Sequence, residues 1–403
     1  MIPTAPGDAV RWIDHTFGDA LGWAARTWAD REAVVFGAQR LSFAALAARA
    51  SAFARGLIDI GVMPGDKVAL WMGDCVEWMV ARWAVPMIGA VLVPVNTRFR
   101  ANDLKYVLAQ SEASTLIMQD AARGVSYLEI LARLEPASAT QAAGDWRSCV
   151  LPQLRRVIGA APRGVPAGML SFQAIEAAGL AAFGGAAVDP VLRERMAAVR
   201  SDDVAQILYT SGTTSFPKGA MVCHGALLQN NYQTVVRMHL TTRDRYLSCV
   251  PLFSATGTGY TLSMLLAGAT IVIVDHFAPR LFCETVERER VTVSFFVDTI
   301  VQDLMGFDER AAFDLSSLRT GTGAPLSTSA FLSATNELRI PQLIGVYGMS
   351  ETSNAVCRAD CSDPLDKRSR TNGRPVDGVR IRIADVETNE TLPSGTIGEI
   401  CIG

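Results

Sequence analysis

Residues 209–219, Tyr-Thr-Ser-Gly-Thr-Thr-Ser-Phe-Pro-Lys-Gly, combine residue types that can hold a polyphosphate. Small residues such as Ser211 and Gly212 let backbone N–H groups approach an anion closely. The hydroxyls of Thr210, Thr213 and Thr214 add donors, and Lys218 supplies a point charge. The order is not that of a Walker loop, because Lys218 lies between Pro217 and Gly219 where that motif requires Gly-Lys-Ser/Thr. A solvated loop rich in Ser and Thr is the bland alternative. The segment follows an apolar run, Val204–Thr210, of strand length, so a buried strand delivers the loop.

The segment resembles the phosphate-loop signature of the adenylate-forming enzymes, a superfamily that includes acyl- and aryl-CoA synthetases, nonribosomal adenylation domains and luciferase. Ser215 stands where that signature has glycine. Three further matches follow in the family's order. Gly321-Thr-Gly-Ala-Pro325 resembles its adenine-side turn, Tyr347-Gly-Met-Ser-Glu351 its Tyr-Gly-x-Thr-Glu segment, and Gly398-Glu-Ile400 its Gly-Glu-Ile strand. Upstream, residues 93–100 (VPVNTRFR) resemble the acyl-CoA synthetase branch.

The resemblance implies a reaction. A substrate carboxylate attacks the α-phosphate of ATP, pyrophosphate leaves, and a thiol, that of CoA, takes the acyl group from the adenylate. The enzyme contributes positioning and charge neutralisation. Nucleotide binding falls on Thr210, Ser211, Gly212, Thr213, Thr214, Lys218, Gly323, Ala324, Pro325, Tyr347, Gly348 and Ser350, and catalytic roles on Lys218, Ser350 and Glu351. Tyr347 offers a face for adenine, Ser350 a hydroxyl for the α-phosphate, and Glu351 the hard oxygen that Mg²⁺ prefers. A plain strand end followed by a helix N-cap at Ser350 reads equally from residues 347–351.

A mostly apolar acyl pocket is expected from Phe253, Ser254, Gly257, Asp298, Gln302 and Met349. Ser254 replaces a common family histidine, which leaves that residue's gating role without a bearer here. It also argues against an aminoacyl-adenylating domain, which carries an aspartate nearby. Asp298 replaces a proline and reads either as a carboxylate that recognises a polar or cationic group on the acid or, the favoured reading, as a cap for a helix starting at Thr299.

These segments need a layered α/β scaffold. Residues 33–43 read as a hairpin turning near Gly37, and Leu46, Ala50, Phe53, Leu57 and Ile60 as one helical stripe ending at Gly61. Residues 67–72, 90–95 and 114–118 read as buried parallel strands between helices. From Pro136 to Asp203 the composition turns to Ala, Gly and Pro, and a variable connector is expected. Strand and helix then alternate regularly, and residues 379–403 read as strands without a helix. The fold expected is the large N-terminal domain of adenylate-forming enzymes. It comprises an α/β subdomain over 1–200, a second over 201–346 carrying the phosphate loop, and a small, incomplete β subdomain over 347–403.

The family's hinge arginine, ribose-binding aspartate and mobile C-terminal domain find no place in the 403 residues. The chain therefore reads as a truncated form that binds nucleotide and makes thioester slowly, with a non-catalytic nucleotide- or acyl-binding module as the rival. A net charge of −3 gives no reason for a nucleic-acid partner. Eight cysteines without metal-ligand spacing, and an N-terminus without the basic-then-apolar order of a signal peptide, point to a reduced, cytoplasmic setting. The uncharged run 246–274 is broken by Pro251, Gly257 and Gly259, and reads as core rather than as a membrane span. A homodimer is left open, and so is the identity of the acid.

Overall fold

Two sheets, both mainly parallel, carry the chain. The computed structural model describes residues 11–161, 164–185, 189–210, 217–352 and 354–403. Ser211, Gly212, Thr213, Thr214 and Ser215 of the expected phosphate loop lie outside the described residues.

A nine-stranded sheet runs, edge to edge, through Arg374–Pro375, Asn354–Arg358, Gln342–Met349, Thr320–Gly323, Val293–Phe296, Arg245–Ser248, Thr270–Ile273, Glu32–Phe36 and Gln39–Ser42. A seven-stranded sheet runs through Lys218–Cys223, Val204–Thr210, Val91–Pro94, Lys67–Trp71, Ala113–Met118, Arg156–Gly159 and Leu170–Ser171. The central strands are buried along nearly their whole length and covered by helices, as parallel strands require. The run 246–274 resolves into strand, helix Ala255–Ala267 and strand. Among the described residues no helix is long and apolar enough to cross a membrane.

The division expected at residue 200 does not follow the sheets. The hairpin within 32–42 joins the nine-stranded sheet, with Val34 paired in parallel to Ile271. Conversely, Val204–Thr210 pairs with Val91–Pro94 of the other sheet. Asn354–Arg358 and Arg374–Pro375 likewise extend the nine-stranded sheet, which leaves Ile381–Ala384 with Glu399–Ile402 as the separate two-stranded piece.

The stretch 136–203 is no connector. It supplies two strands of the seven-stranded sheet and the helices Phe172–Ala182 and Pro190–Ala197. Its small residues serve close packing. A Cβ on Gly179 would lie 1.9 Å from the carbonyl oxygen of Ala52, and one on Gly56 would lie 2.3 Å from that of Ile175. Helices Phe43–Asp59 and Phe172–Ala182 thus touch backbone to backbone, and Phe53 stacks on Phe172 at 3.9 Å.

Candidate active site

Ligands of open α/β sheets collect beyond the carboxyl ends of the strands, and a cavity of about 230 Å³ lies there. The strands Val293–Phe296, Thr320–Gly323 and Gln342–Met349 point their ends at it. Phe295, Thr322, Ala324, Gly348, Met349 and Ser350 line it, with Ala255, Thr256 and Tyr260 from the facing helix. Val346, Asn354 and Arg358 complete the wall.

The turn after Met349 is built by residues that the motif does not highlight. Gly348 is required, because a Cβ there would sit 1.9 Å from the carbonyl oxygen of Asn354, where the pairing register shifts between Tyr347 and Gly348. Ser350–Thr352 forms one 3₁₀ turn, and its hydroxyl tie comes from Thr352. Thr352 Oγ1 accepts from Met349 N at 3.3 Å and donates to Met349 O at 3.0 Å. Ser350 opens that turn and lines the cavity.

Helix His224–Arg237 braces the turn. Asn230 Nδ2 donates to Ala355 O at 2.7 Å and to Thr352 O at 3.3 Å, and Asn230 Oδ1 accepts from Ala355 N at 3.3 Å. Asn354, at φ 119°, donates to Asn231 Oδ1 at 3.0 Å. Sequence reasoning missed Asn230, Asn231 and Asn354. Two adjacent asparagines inside a helix, where asparagine is a poor former, were the signal.

Lys218 is exposed at the start of its strand and stands opposite Thr210 in the antiparallel pairing. Tyr106 donates to Pro217 O at 3.0 Å, which fixes the strand entry beside Lys218. The Ser350–Thr352 turn, with Glu351 exposed on it, packs against both strands that flank residues 211–216. The structure thus brings Thr210, Lys218, Ser350 and Glu351 to one region, next to Ala324 and Gly348. Tyr347 is half-buried on the same strand end, Gly323 is buried, and Pro325 follows a cis peptide bond. Mg²⁺ commonly takes one or two protein carboxylates and fills its remaining positions with substrate phosphates and water. Exposed Glu351 suits that pattern, and no group of three acidic, His or Cys side chains among the described residues offers a fuller cage.

The expected acyl-pocket residues divide. Met349 lines the cavity, and Ala255 and Thr256 lie inside the expected Phe253–Gly257 stretch. Phe253 and Ser254 are half-buried beside it. Ser254 caps helix Ala255–Ala267: its Oγ accepts from Gly257 N at 3.0 Å and donates to Pro251 O at 2.7 Å. Gly257 is packed against backbone, since a Cβ would meet Pro251 O at 2.2 Å, so it does not border open space. Asp298 caps nothing in its own helix, Asp298–Met305, and instead accepts from Ser327 N at 2.7 Å. Gln302 is exposed on that helix, and neither residue reaches the cavity.

Nor is the cavity mostly apolar. Tyr260 and Thr322 share a 2.7 Å hydrogen bond, burial pushes the Tyr260 hydroxyl up to about 12, and Asn354 and Arg358 add donors. The loop from Ser248 that leads to Ser254 is tied to the other sheet, because Leu252 N donates to Asp74 Oδ1 at 3.0 Å. His224 is buried and accepts from Phe17 N at 3.2 Å, a role inside the fold. Burial lowers its ring to about 4.

Comparison with known proteins agrees on the family. The AMP-binding enzyme family matches residues 21–403. YngI of Bacillus subtilis, named as an acyl-CoA synthetase, is 32% identical over 394 residues, which are 96% of this chain and 71% of YngI. The mouse mitochondrial medium-chain acyl-CoA ligase ACSF2 is 28% identical over 97% of this chain and 64% of its own length. A solved structure from Rhodopseudomonas palustris, named as a long-chain fatty-acid CoA ligase, superposes with a TM-score of 0.79 at 26% identity, covering 97% of this chain and 88% of that one.

Proposed function

The chain belongs to the AMP-binding enzyme family, and on that premise we propose that it serves an ATP-dependent acid–thiol ligase, joining a carboxylic acid to CoA through an acyl adenylate. The carrying observation is the convergence of three segments. The strands flanking residues 211–216, the turn Ser350–Thr352 and the strand end at Gly323–Ala324 meet beside one cavity.

A carboxylate is a poor electrophile, and adenylation gives it a leaving group. Lys218 and the hydroxyls of 210–214 hold the β- and γ-phosphates, and Ser350 donates to the α-phosphate. Tyr347 carries the adenine ring over Gly348, with Gly323, Ala324 and Pro325 along its edge. Preorganised donors and a cation placed where phosphate charge develops lower the barrier without reorganisation. Glu351 would hold Mg²⁺, which supplies charge neutralisation on the phosphates when bound. The acid enters the cavity beside Met349. A cytoplasmic setting is supported by eight free cysteines.

Calorimetric titration of MgATP into the 403-residue chain tests the nucleotide assignment. The double variant Lys218→Ala, Glu351→Ala is expected to bind at least about tenfold more weakly, since charge-assisted contacts contribute about 1.5–3 kcal/mol. Equal affinity removes the assignment.

A further inference from the structure

Arg358 closes the inner end of the cavity, and among the described residues no carboxylate answers it. It stands opposite Val346 in the antiparallel pairing, whereas Met349 and Asn354 pair at the outer end. Three residues of strand separate the two ends, roughly 10 Å at the usual rise. Met349 is 39% exposed and Arg358 2% exposed, so the mouth and the closed end are distinct.

Among the described residues the guanidinium has no hydrogen-bond partner at Nε and forms no ion pair. The other cation that acts on it, Arg237, is repulsive. Burial lowers it to about 10, which leaves it charged near neutral pH. A buried, unpaired cation is costly, and a ligand anion that enters with its own charge removes the cost. The wall between mouth and end is mixed. Phe295, Val346 and Met349 are apolar, and the bonded Tyr260–Thr322 pair and Asn354 are polar. Only a few residues of strand separate the mouth from the closed end, so the space between Ser350 and Arg358 suits a short acid.

We propose that Arg358 is a specificity-determining residue that selects a short carboxylic acid bearing a second carboxylate. The far carboxylate pairs with the guanidinium, and the reacting one lies at the mouth beside Ser350. This rests on reading the cavity as the acyl site of an acid–thiol ligase. Guanidinium suits the task because its planar fork meets a carboxylate with two parallel hydrogen bonds. Selectivity against a methyl-ended acid follows, since that acid leaves the buried cation unpaired.

The test pairs succinate with butyrate and glutarate with valerate, reading acid-dependent pyrophosphate release from MgATP. In the native chain kcat/KM for each dicarboxylate should exceed that of its partner by about tenfold or more. Arg358→Met should lower the dicarboxylate values by about 10- to 100-fold and raise the monocarboxylate values, because a methyl end no longer meets an unpaired cation. Arg358→Lys, which keeps the charge and loses the fork, should retain part of the preference. Equal use of both acids by the native chain, or an unchanged ratio in Arg358→Met, overturns the proposal. If Arg358→Met does not fold, the native ratio and Arg358→Lys decide. If no acid is turned over, the ligase reading fails by itself, and calorimetry with AMP present decides the pocket. Succinate binding that exceeds butyrate binding and weakens in Arg358→Lys supports the assignment, and equal or absent binding of the two acids overturns it.

Discussion

Asp74 and Leu252 join the two sheets through one hydrogen bond, Leu252 N to Asp74 Oδ1 at 3.0 Å. Asp74 ends the segment that follows strand Lys67–Trp71 of one sheet, and Leu252 lies in the loop that follows strand Arg245–Ser248 of the other. Burial pushes the Asp74 carboxyl up to about 7, against the single backbone donor and the attraction of Arg123.

A raised carboxyl makes the folded chain favour the protonated form. Its stabilising share is full below the unfolded value near 3.8 and is lost as pH rises through about 7. Asp74→Asn keeps an acceptor for Leu252 N and removes the titration. The variant should match the native chain in thermal midpoint near pH 4, pull ahead between pH 4 and 7, and hold its lead above, by up to about 4 kcal/mol. A lead that does not change with pH contradicts the burial argument.

Gly257 lies where a side chain would strike the backbone at Pro251. Gly257→Ala should therefore lower stability by about 1–3 kcal/mol in urea unfolding, as overpacking does. A variant as stable as the native chain, with an altered acid preference, would return Gly257 to the pocket wall.

Ser254 caps the helix that forms one side of the cavity. Ser254→Ala is expected to cost about 1 kcal/mol, and Ser254→Asp to recover most of it. If both variants unfold at the native midpoint, the cap contributes nothing.

Arg82 is fully buried, and among the described residues none of its three guanidinium nitrogens has a hydrogen-bond partner. It rests over the ring of Phe17 at 4.6 Å, which offsets only part of the desolvation. Arg82→Met should raise stability by about 1–4 kcal/mol, because an apolar side chain of similar length needs no partner. A loss of stability would mean that the cation–π contact outweighs desolvation.

The ordered motifs and the alternation of strand and helix were legible because each is local. Val204–Thr210 reads as a strand, and Leu46, Ala50, Phe53 and Leu57 as a stripe, from spacing alone. Which sheet a strand joins was not legible, since Val34 pairs with Ile271 across the chain. The Ala/Gly stretch misled because small residues signal both loose connectors and tight helix contacts, and Gly179 against Ala52 is the second kind. Within the site, Ser350 and Glu351 follow from the motif. Asn230 and Arg358 depend on tertiary neighbours that no spacing reveals. Asp298 shows the reverse error: a plausible cap by position, engaged elsewhere by a neighbouring segment.

Acid-dependent formation of acyl-AMP from MgATP by the 403-residue chain, followed by mass spectrometry across a carboxylic-acid panel, tests the function most directly. At least one acid should yield its acyl adenylate with stoichiometric pyrophosphate, and Lys218→Ala should lower the rate by about a hundredfold, as loss of one charge at the developing phosphate implies. MgATP bound at the site with no acyl adenylate from any acid would contradict the ligase assignment and leave a nucleotide-binding protein.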